Sequence, residues 1–425
     1  MRAAFYESDI TPPLGGYLWG HYNQMHAEDV IDKLYAKAVV TECDGEIAAI
    51  LAVDTCTLPV DMHDIVTRRI TEYTGIPAER ICISSNHTHW GAPVCSEPRL
   101  NCYADSTYLD VFYRLCADTV TLAYRRLQDT QIRFGRAEES GISFNRNYIL
   151  KNGTVMTWGA PKEEVAGMFA GIDPEVSVLV YEQAGEPVGA VVNFACHQCC
   201  CGSIKGYSGD YASYISKELK KVYGPDFVSV FVLGACGDIN HINTDHSIKT
   251  PPLWYREMGR ILAEKAVCAI NSAENVGEGI EVRKETIRVP RRLTDPATVN
   301  QQAKALFDRY AGSMRANNLL YYHAVNKETA TDLWLQVIRI GNTCLYVLPG
   351  EIFVNYGLEL KKRTTFRNNM VIENSNSYCG YIPTKEAFGE NCDLYETSLC
   401  LDSCYIPEAG QMMVDRLLEM SETLA

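Results

Sequence analysis

His87 and His89 stand two residues apart in Asn86-His87-Thr88-His89, and this pair is the sharpest chemical feature of the chain. In an extended segment alternate side chains point to the same side, so both imidazoles face one site. Neutral imidazole is the commonest metal ligand and suits zinc. The competing reading is two ordinary loop histidines among the 9 in the chain. His197 closes the apolar run Asn193-Phe194-Ala195-Cys196; taken alone, a hydrogen-bonded core histidine is the commoner case. The thiols beside it include Cys196-x-x-Cys199, but a structural zinc site usually needs a second such pair, and the chain has none. The Cys196–Cys201 cluster therefore reads as small buried residues.

Glu351 follows Leu348-Pro349-Gly350, a turn that holds a carboxylate in a defined place. A metal ligand, a general base and a solvated turn residue all remain open for it. Gly237-Asp238-Ile239-Asn240 offers backbone donors for an oxyanion and a carboxylate, Asp238, to orient a ligand. Asp210 precedes a helical run and reads as its N-cap.

These groups need elements to position them. Three β-hairpins are legible: 36–41 with 47–53, 176–181 with 188–194, and 333–340 with 344–347, each with a Gly-bearing turn. Their second strands run into Asp54, His197 and Glu351. The apolar runs 80–85, 228–233 and 370–373 end at Asn86-His87, Gly237-Asp238 and the stretch from Asn374 to Tyr381. Ligand sites commonly sit at strand ends in α/β proteins. Helices are expected over 62–73, 108–127, 212–222 and 255–270. The fold class is α/β, with layered mixed sheets, flanking helices and a metal site at strand ends. The polar segment 296–326 reads as an inserted helical piece or a cap, and 271–283 as the most linker-like stretch.

The net charge is −14, from 39 Lys and Arg against 53 Asp and Glu. That balance argues against nucleic acid or an anionic membrane as partner. No apolar run approaches the roughly 18–20 residues of a membrane span. The first residues lack the apolar core of a secretory signal. With 17 scattered cysteines the chain reads as cytoplasmic and reduced. Nothing in the sequence speaks to oligomeric state.

Short motifs in order along the chain resemble the neutral/alkaline (non-lysosomal) ceramidase family, specifically its N-terminal catalytic domain. They are Asp9-Ile10-Thr11-Pro12-Pro13, Asn86-His87-Thr88-His89, Phe144-Asn145-Arg146, Asp173-Pro174-Glu175, His197, Ser208-Gly209-Asp210-Tyr211, Gly237-Asp238, Pro349-Gly350-Glu351, and Tyr378 to Tyr381 with Thr384. The resemblance implies one catalytic domain over 1–425, without the family's C-terminal immunoglobulin-like domain. It implies a zinc hydrolase that cleaves an amide, with His87, His197, Glu351 and Tyr381 on the metal. His89 would line the site, Arg146 would face the substrate with Asn86 nearby, and Tyr395-Glu396 matches a later Tyr-Glu pair.

The family's catalytic Ser after Gly-Asp-Val is absent; Asn240 and His241 stand there. Asn cannot serve as an activated nucleophile, yet it can hydrogen-bond a water or an oxyanion. The expectation is therefore hydrolysis by a zinc-bound hydroxide, with His89 as proton shuttle and Asn240, Asp238 and Tyr395 assisting. A small soluble N-acyl substrate is expected. A hydrolase of esters or glycosides on the same scaffold, or a non-catalytic metal-binding protein, is the alternative.

Overall fold

The computed structural model describes all residues except 22–23, 98–101, 160, 244–250, 252, 310–313 and 425. One pattern of strands and helices occurs three times. The first unit is β1 (Arg2–Asp9), β2 (Tyr35–Cys43), β3 (Glu46–Val53), α1 (Val60–Thr74), β4 (Ile81–Ser85) and α2 (Ser106–Tyr124). The second is β5 (Gln131–Glu138), β6 (Glu175–Gln183), β7 (Glu186–Phe194), α3 (Asp210–Tyr223), β8 (Val228–Leu233) and α4 (Trp254–Asn271).

The third unit begins with β9 (Ile280–Pro290) and is then interrupted by two helices, α5 (Val299–Arg309) and α6 (Met314–Val325). It resumes with β10 (Ala330–Ile340), β11 (Thr343–Val347), α7 (Val354–Arg363), β12 (Asn368–Ile372) and α8 (Ala409–Glu422). In every unit the first three strands pair antiparallel in sequence order, and the fourth joins the third in parallel.

The expected hairpins are therefore present, and each is extended by a parallel strand. Two of their turns use positive φ at both central residues: Asp44 and Gly45, and Ala184 and Gly185. That conformation matches the twist of the flanking strands. The linker-like stretch 271–283 runs into a strand, and the charged residues that follow it continue that strand. It is β9, paired with β10 over eleven residues; its Lys, Glu and Arg dilute the alternation that would have marked it.

The inner strands are apolar along their whole length because both faces are covered. In β3, Ala48, Ile50 and Ala52 join a core shared with Leu179, Val191 and Val230 of the second unit and Ile338, Leu345 and Met370 of the third. The alternate residues Ala49, Leu51 and Val53 pack in a separate core with Met62 and Val66 of α1 and Phe112 of α2. Three sheets thus meet on a common core, with helices on their outer faces. The third sheet's outer face packs on Leu360 of α7 and Met413 and Leu417 of α8.

This arrangement brings the carboxyl ends of the inner strands together. The Ser85 N–H donates to the Asn374 carbonyl at 3.0 Å, and the Gly237 N–H to the Ile352 carbonyl at 2.8 Å. No described helix is long and apolar enough to cross a membrane.

Candidate metal centre

Each unit delivers one polar side chain to a single point. His87 follows β4, His197 follows β7 and Glu351 follows β11. His87 Nε2 lies 3.5 Å and His197 Nε2 2.9 Å from Glu351 Oε2. All three residues are almost fully buried. The other ring nitrogens are committed: His87 Nδ1–H donates to the Cys56 carbonyl at 2.7 Å, and His197 Nδ1–H to the Cys236 carbonyl at 2.8 Å. These bonds assign the tautomers and leave both Nε2 lone pairs directed at the carboxylate. His87 sits in the left-handed region with φ of 65°, with its N–H on Ser85 Oγ at 3.0 Å. Such a conformation costs a β-carbon residue and collects at functional sites.

Three ligand atoms converging in a buried space have the geometry to hold a cation between them. Ligands about 2.0–2.1 Å from a tetrahedral ion lie about 3.3–3.4 Å from one another, close to the His87–Glu351 separation. With a carboxylate and two Nδ1-anchored imidazoles, the residues present fit a divalent metal such as zinc. Without a metal, the group divides its charge unevenly. Burial works to raise the Glu351 carboxyl, but the charges and hydrogen bonds of His87 and His197 hold it well below the usual range. Burial, then Arg146, pushes His197 down to about 4. Burial also works against the His87 cation, but Cys56 and Glu351 outweigh it and raise it.

Glu351 is fixed from two further directions. Its Oε1 accepts the Tyr378 hydroxyl at 2.7 Å. Its backbone pairs in parallel with Tyr381, so Glu351 and Tyr381 are lateral neighbours. Glu373 ties the Glu351 loop to the loop after β8, accepting the Cys236 N–H at 3.1 Å and the Ile352 N–H at 2.7 Å. Tyr378 opens one of the matching sequence motifs but carried no assigned role, and Glu373 did not stand out, since a strand-end Glu carries no distinguishing pattern.

The group opens into a pocket of about 240 Å³ lined by His87, His89, Glu351, Tyr378, Tyr381 and Tyr395, with Trp19, His21, Cys56, Glu97 and Asp402 around them. Met314 and Asn318 of α6 complete the wall, which places the inserted helices beside it. His89 Nε2 lies 3.4 Å from His87 Nε2. Burial, then the neighbouring His87 and His197, holds His89 well below its ordinary value, so it is neutral. Tyr395 packs edge-on against Tyr381 at 5.6 Å.

Several expected site residues are placed differently. Asp238 orients no histidine; a backbone carbonyl does that. Its Oδ1 accepts the first N–H of α7, at Val354, at 2.8 Å, and its Oδ2 accepts Asn145 Nδ2 at 2.7 Å. Asn86 does not line the pocket: it donates to Asp54 Oδ1 at 2.6 Å and shapes the His87 loop. Asn240 does not line the pocket: its Oδ1 accepts the His241 N–H at 2.6 Å and faces Cys199 Sγ at 3.7 Å.

Arg146 is buried and does not line the pocket. It pairs with Glu396 Oε1 at 2.6 Å, donates to the Gly237 carbonyl at 2.8 Å, and brings Nη1 within 3.4 Å of His197 Nε2. Asp210 is the first residue of α3 rather than a residue before it. At φ of 53°, its carboxylate reaches back to the Cys200 N–H at 2.7 Å and fixes the cysteine loop. All 17 cysteines are free thiols.

These features define a neutral-ceramidase-like fold. The crystal structure of neutral ceramidase from Pseudomonas aeruginosa matches with a TM-score of 0.75 at 19% identity, covering 99% of this chain and 74% of that one. A ceramidase structure complexed with C2 matches with a TM-score of 0.76 at 20% identity, covering 99% and 75%. No protein-family model and no curated protein matches the chain.

Proposed function

We propose that the protein is a metal-dependent hydrolase, with zinc as the metal and an amide (N-acyl) bond of a small soluble molecule as the bond cleaved. The observation that carries this reading is the convergence of His87 Nε2 and His197 Nε2 on Glu351 Oε2, with His87 and Glu351 lining an open pocket. His87, His197 and Glu351 hold the metal, with Tyr381 as a fourth ligand, and Tyr378 steadies Glu351. When bound, the metal polarises a carbonyl and makes water acidic enough to attack near neutral pH.

The chain's own residues supply the rest. His89 is neutral and lines the pocket, so its Nε2 can accept a proton from the attacking water and return it to the leaving amine. Tyr395, packed on Tyr381, donates its hydroxyl to the developing oxyanion. Arg146 contributes a fixed positive charge within 5.4 Å of the Tyr381 ring. The pocket's Ser96, Glu97, Asn318 and Asp402 support a polar substrate. Glu97 and Asp402 also favour a glycosidic bond as the second reading, since such bonds are commonly cleaved between two carboxylates.

The purified protein should be assayed against N-acyl amines, acyl esters and glycosides, with metal content measured in parallel. His197→Ala is expected to lose both bound metal and activity. Stoichiometric metal retained in that variant would overturn the ligand assignment.

A further inference from the structure

Lys284 of β9 belongs to a cluster outside the metal centre. Its Nζ lies 3.0 Å from His63 Nε2, and His63 Nδ1 lies 3.3 Å from Asp64 Oδ1. An amine, an imidazole and a carboxylate thus follow one another, as a nucleophile, its base and the group that orients the base do. His63 and Asp64 come from α1, and β9 is the edge strand of its sheet. The Trp334 ring of β10 closes one side, its centroid 4.1 Å from Lys284 Nζ and 4.8 Å from that of the His63 ring. His63 is buried, but Lys284 and Trp334 are only half-buried, so the cluster is open to solvent. Burial lowers the Lys284 ammonium from 10.5 to about 8, against the opposing pull of Cys82, Asp64 and Glu79. Burial, then Lys284, holds His63 at about 4, so its Nε2 is an acceptor. None of these residues lines the pocket.

We propose that Lys284 is a site of covalent acylation, with His63 as its base and Asp64 orienting His63, and that its co-reactant is a small activated acyl donor of the acyl phosphate class. The neutral amine attacks the acyl carbon and a nitrogen–carbon bond forms. The bond from that carbon to the phosphate oxygen breaks, and phosphate leaves with the electron pair. One amine proton passes to His63 Nε2 and from there to solvent; nothing is oxidised or reduced. Two features favour Lys284 over an ordinary lysine. Near neutral pH its free amine is on the order of 100-fold more abundant. The acceptor for the proton released in the attack already stands 3.0 Å away. The product is an uncharged amide, so the cation that depresses His63 disappears.

The test treats the full chain with acetyl phosphate near neutral pH and follows the initial rate of acetylation at each lysine by peptide mass spectrometry. The exposed Lys151 and Lys362 serve as internal references. Lys284 is expected to react at least about 10-fold faster than either. Its rate should level off above about pH 8, while the rates of the references keep rising. His63→Gln keeps a hydrogen-bonding side chain but takes up no proton; it should slow Lys284 about 10-fold and leave Lys151 and Lys362 unchanged. A wild-type Lys284 no faster than the references overturns the proposal, and that measurement needs no variant to fold. A Lys284 rate that His63→Gln leaves unchanged overturns it as well.

Discussion

The Asp238→Ala variant is expected to lose stability and keep its metal. Asp238 is fully buried and accepts two hydrogen bonds, from the Val354 N–H and from Asn145 Nδ2. Alanine leaves both donors buried without an acceptor. Each such group costs about 1–3 kcal/mol, so the loss is about 2–6 kcal/mol. The N-terminus of α7 also loses a carboxylate, a further effect of about 0.3–1 kcal/mol. None of the lost contacts touches His197, whose Nδ1–H is held by the Cys236 carbonyl. Urea unfolding midpoints measure the stability, and atomic absorption measures metal per chain. A variant with the wild-type midpoint and no metal would refute this reasoning, because that pattern requires Asp238 to act on the histidine.

The isosteric Asp238→Asn adds a pH signature. Burial pushes the Asp238 carboxyl up from 3.8 to about 6. The folded state therefore favours the protonated form. Its contribution to stability is complete below the unfolded value and is lost as pH rises to about 6. That loss is about 3 kcal/mol, at about 1.4 kcal/mol for each tenfold change in proton affinity. Asparagine carries no charge and escapes it. The variant's deficit relative to wild type should therefore shrink as pH is raised from about 4 to about 7.

Three more outcomes follow, two from the site and the last from α1. Glu396→Gln removes the charge partner of a buried guanidinium, Arg146, and should cost about 3–5 kcal/mol in a denaturant melt. Gly237→Ala would place a Cβ 2.6 Å from the Glu351 carbonyl oxygen, so either its own loop or the Glu351 loop must shift. Metal affinity, measured by chelator competition, should fall about 10- to 100-fold. His63 is pushed down to about 4 by burial and then by Lys284, whose Nζ donates to its Nε2 at 3.0 Å. Its stabilising effect is present above the unfolded value of 6.5 and is lost as pH falls toward 4. His63→Gln should show a shallower acid decline than wild type, by up to about 3 kcal/mol.

Much of the strand framework was open to reading in advance because its pattern is local. The hairpins are runs of Val, Ile and Leu broken by Asp-Gly or Gly turns, and covered faces leave such runs nearly continuous. The threefold recurrence was visible only as a similarity of pattern. The four-stranded unit is completed by β1, β5 and β9, which pair with strands 26 or more residues away. In β9, charges hide the alternation.

Site residues divide in the same way. His87 and His89 are recognisable from a two-residue spacing. Glu351 and Tyr381 pair across two strand ends thirty residues apart, and Glu373 joins the Cys236 and Ile352 loops. No local pattern encodes those meetings. Asp238 shows the limit most clearly: a carboxylate after Gly at a strand end reads the same whether it holds a histidine or a helix N-terminus.

The sequence by itself determined the three hairpins and the parallel strands that extend them, that polar groups gather at their carboxyl ends, and which residue types are able to bind a metal. Periodicity and side-chain chemistry are properties of a few neighbouring residues, so they survive in one dimension. Only the tertiary structure decided that three strand ends from three sheets meet over a common core. It also decided that two backbone carbonyls take the Nδ1 protons, and that Cys56 stands beside His87. Those facts depend on how separate sheets pack, and packing sums contacts between residues that lie far apart along the chain.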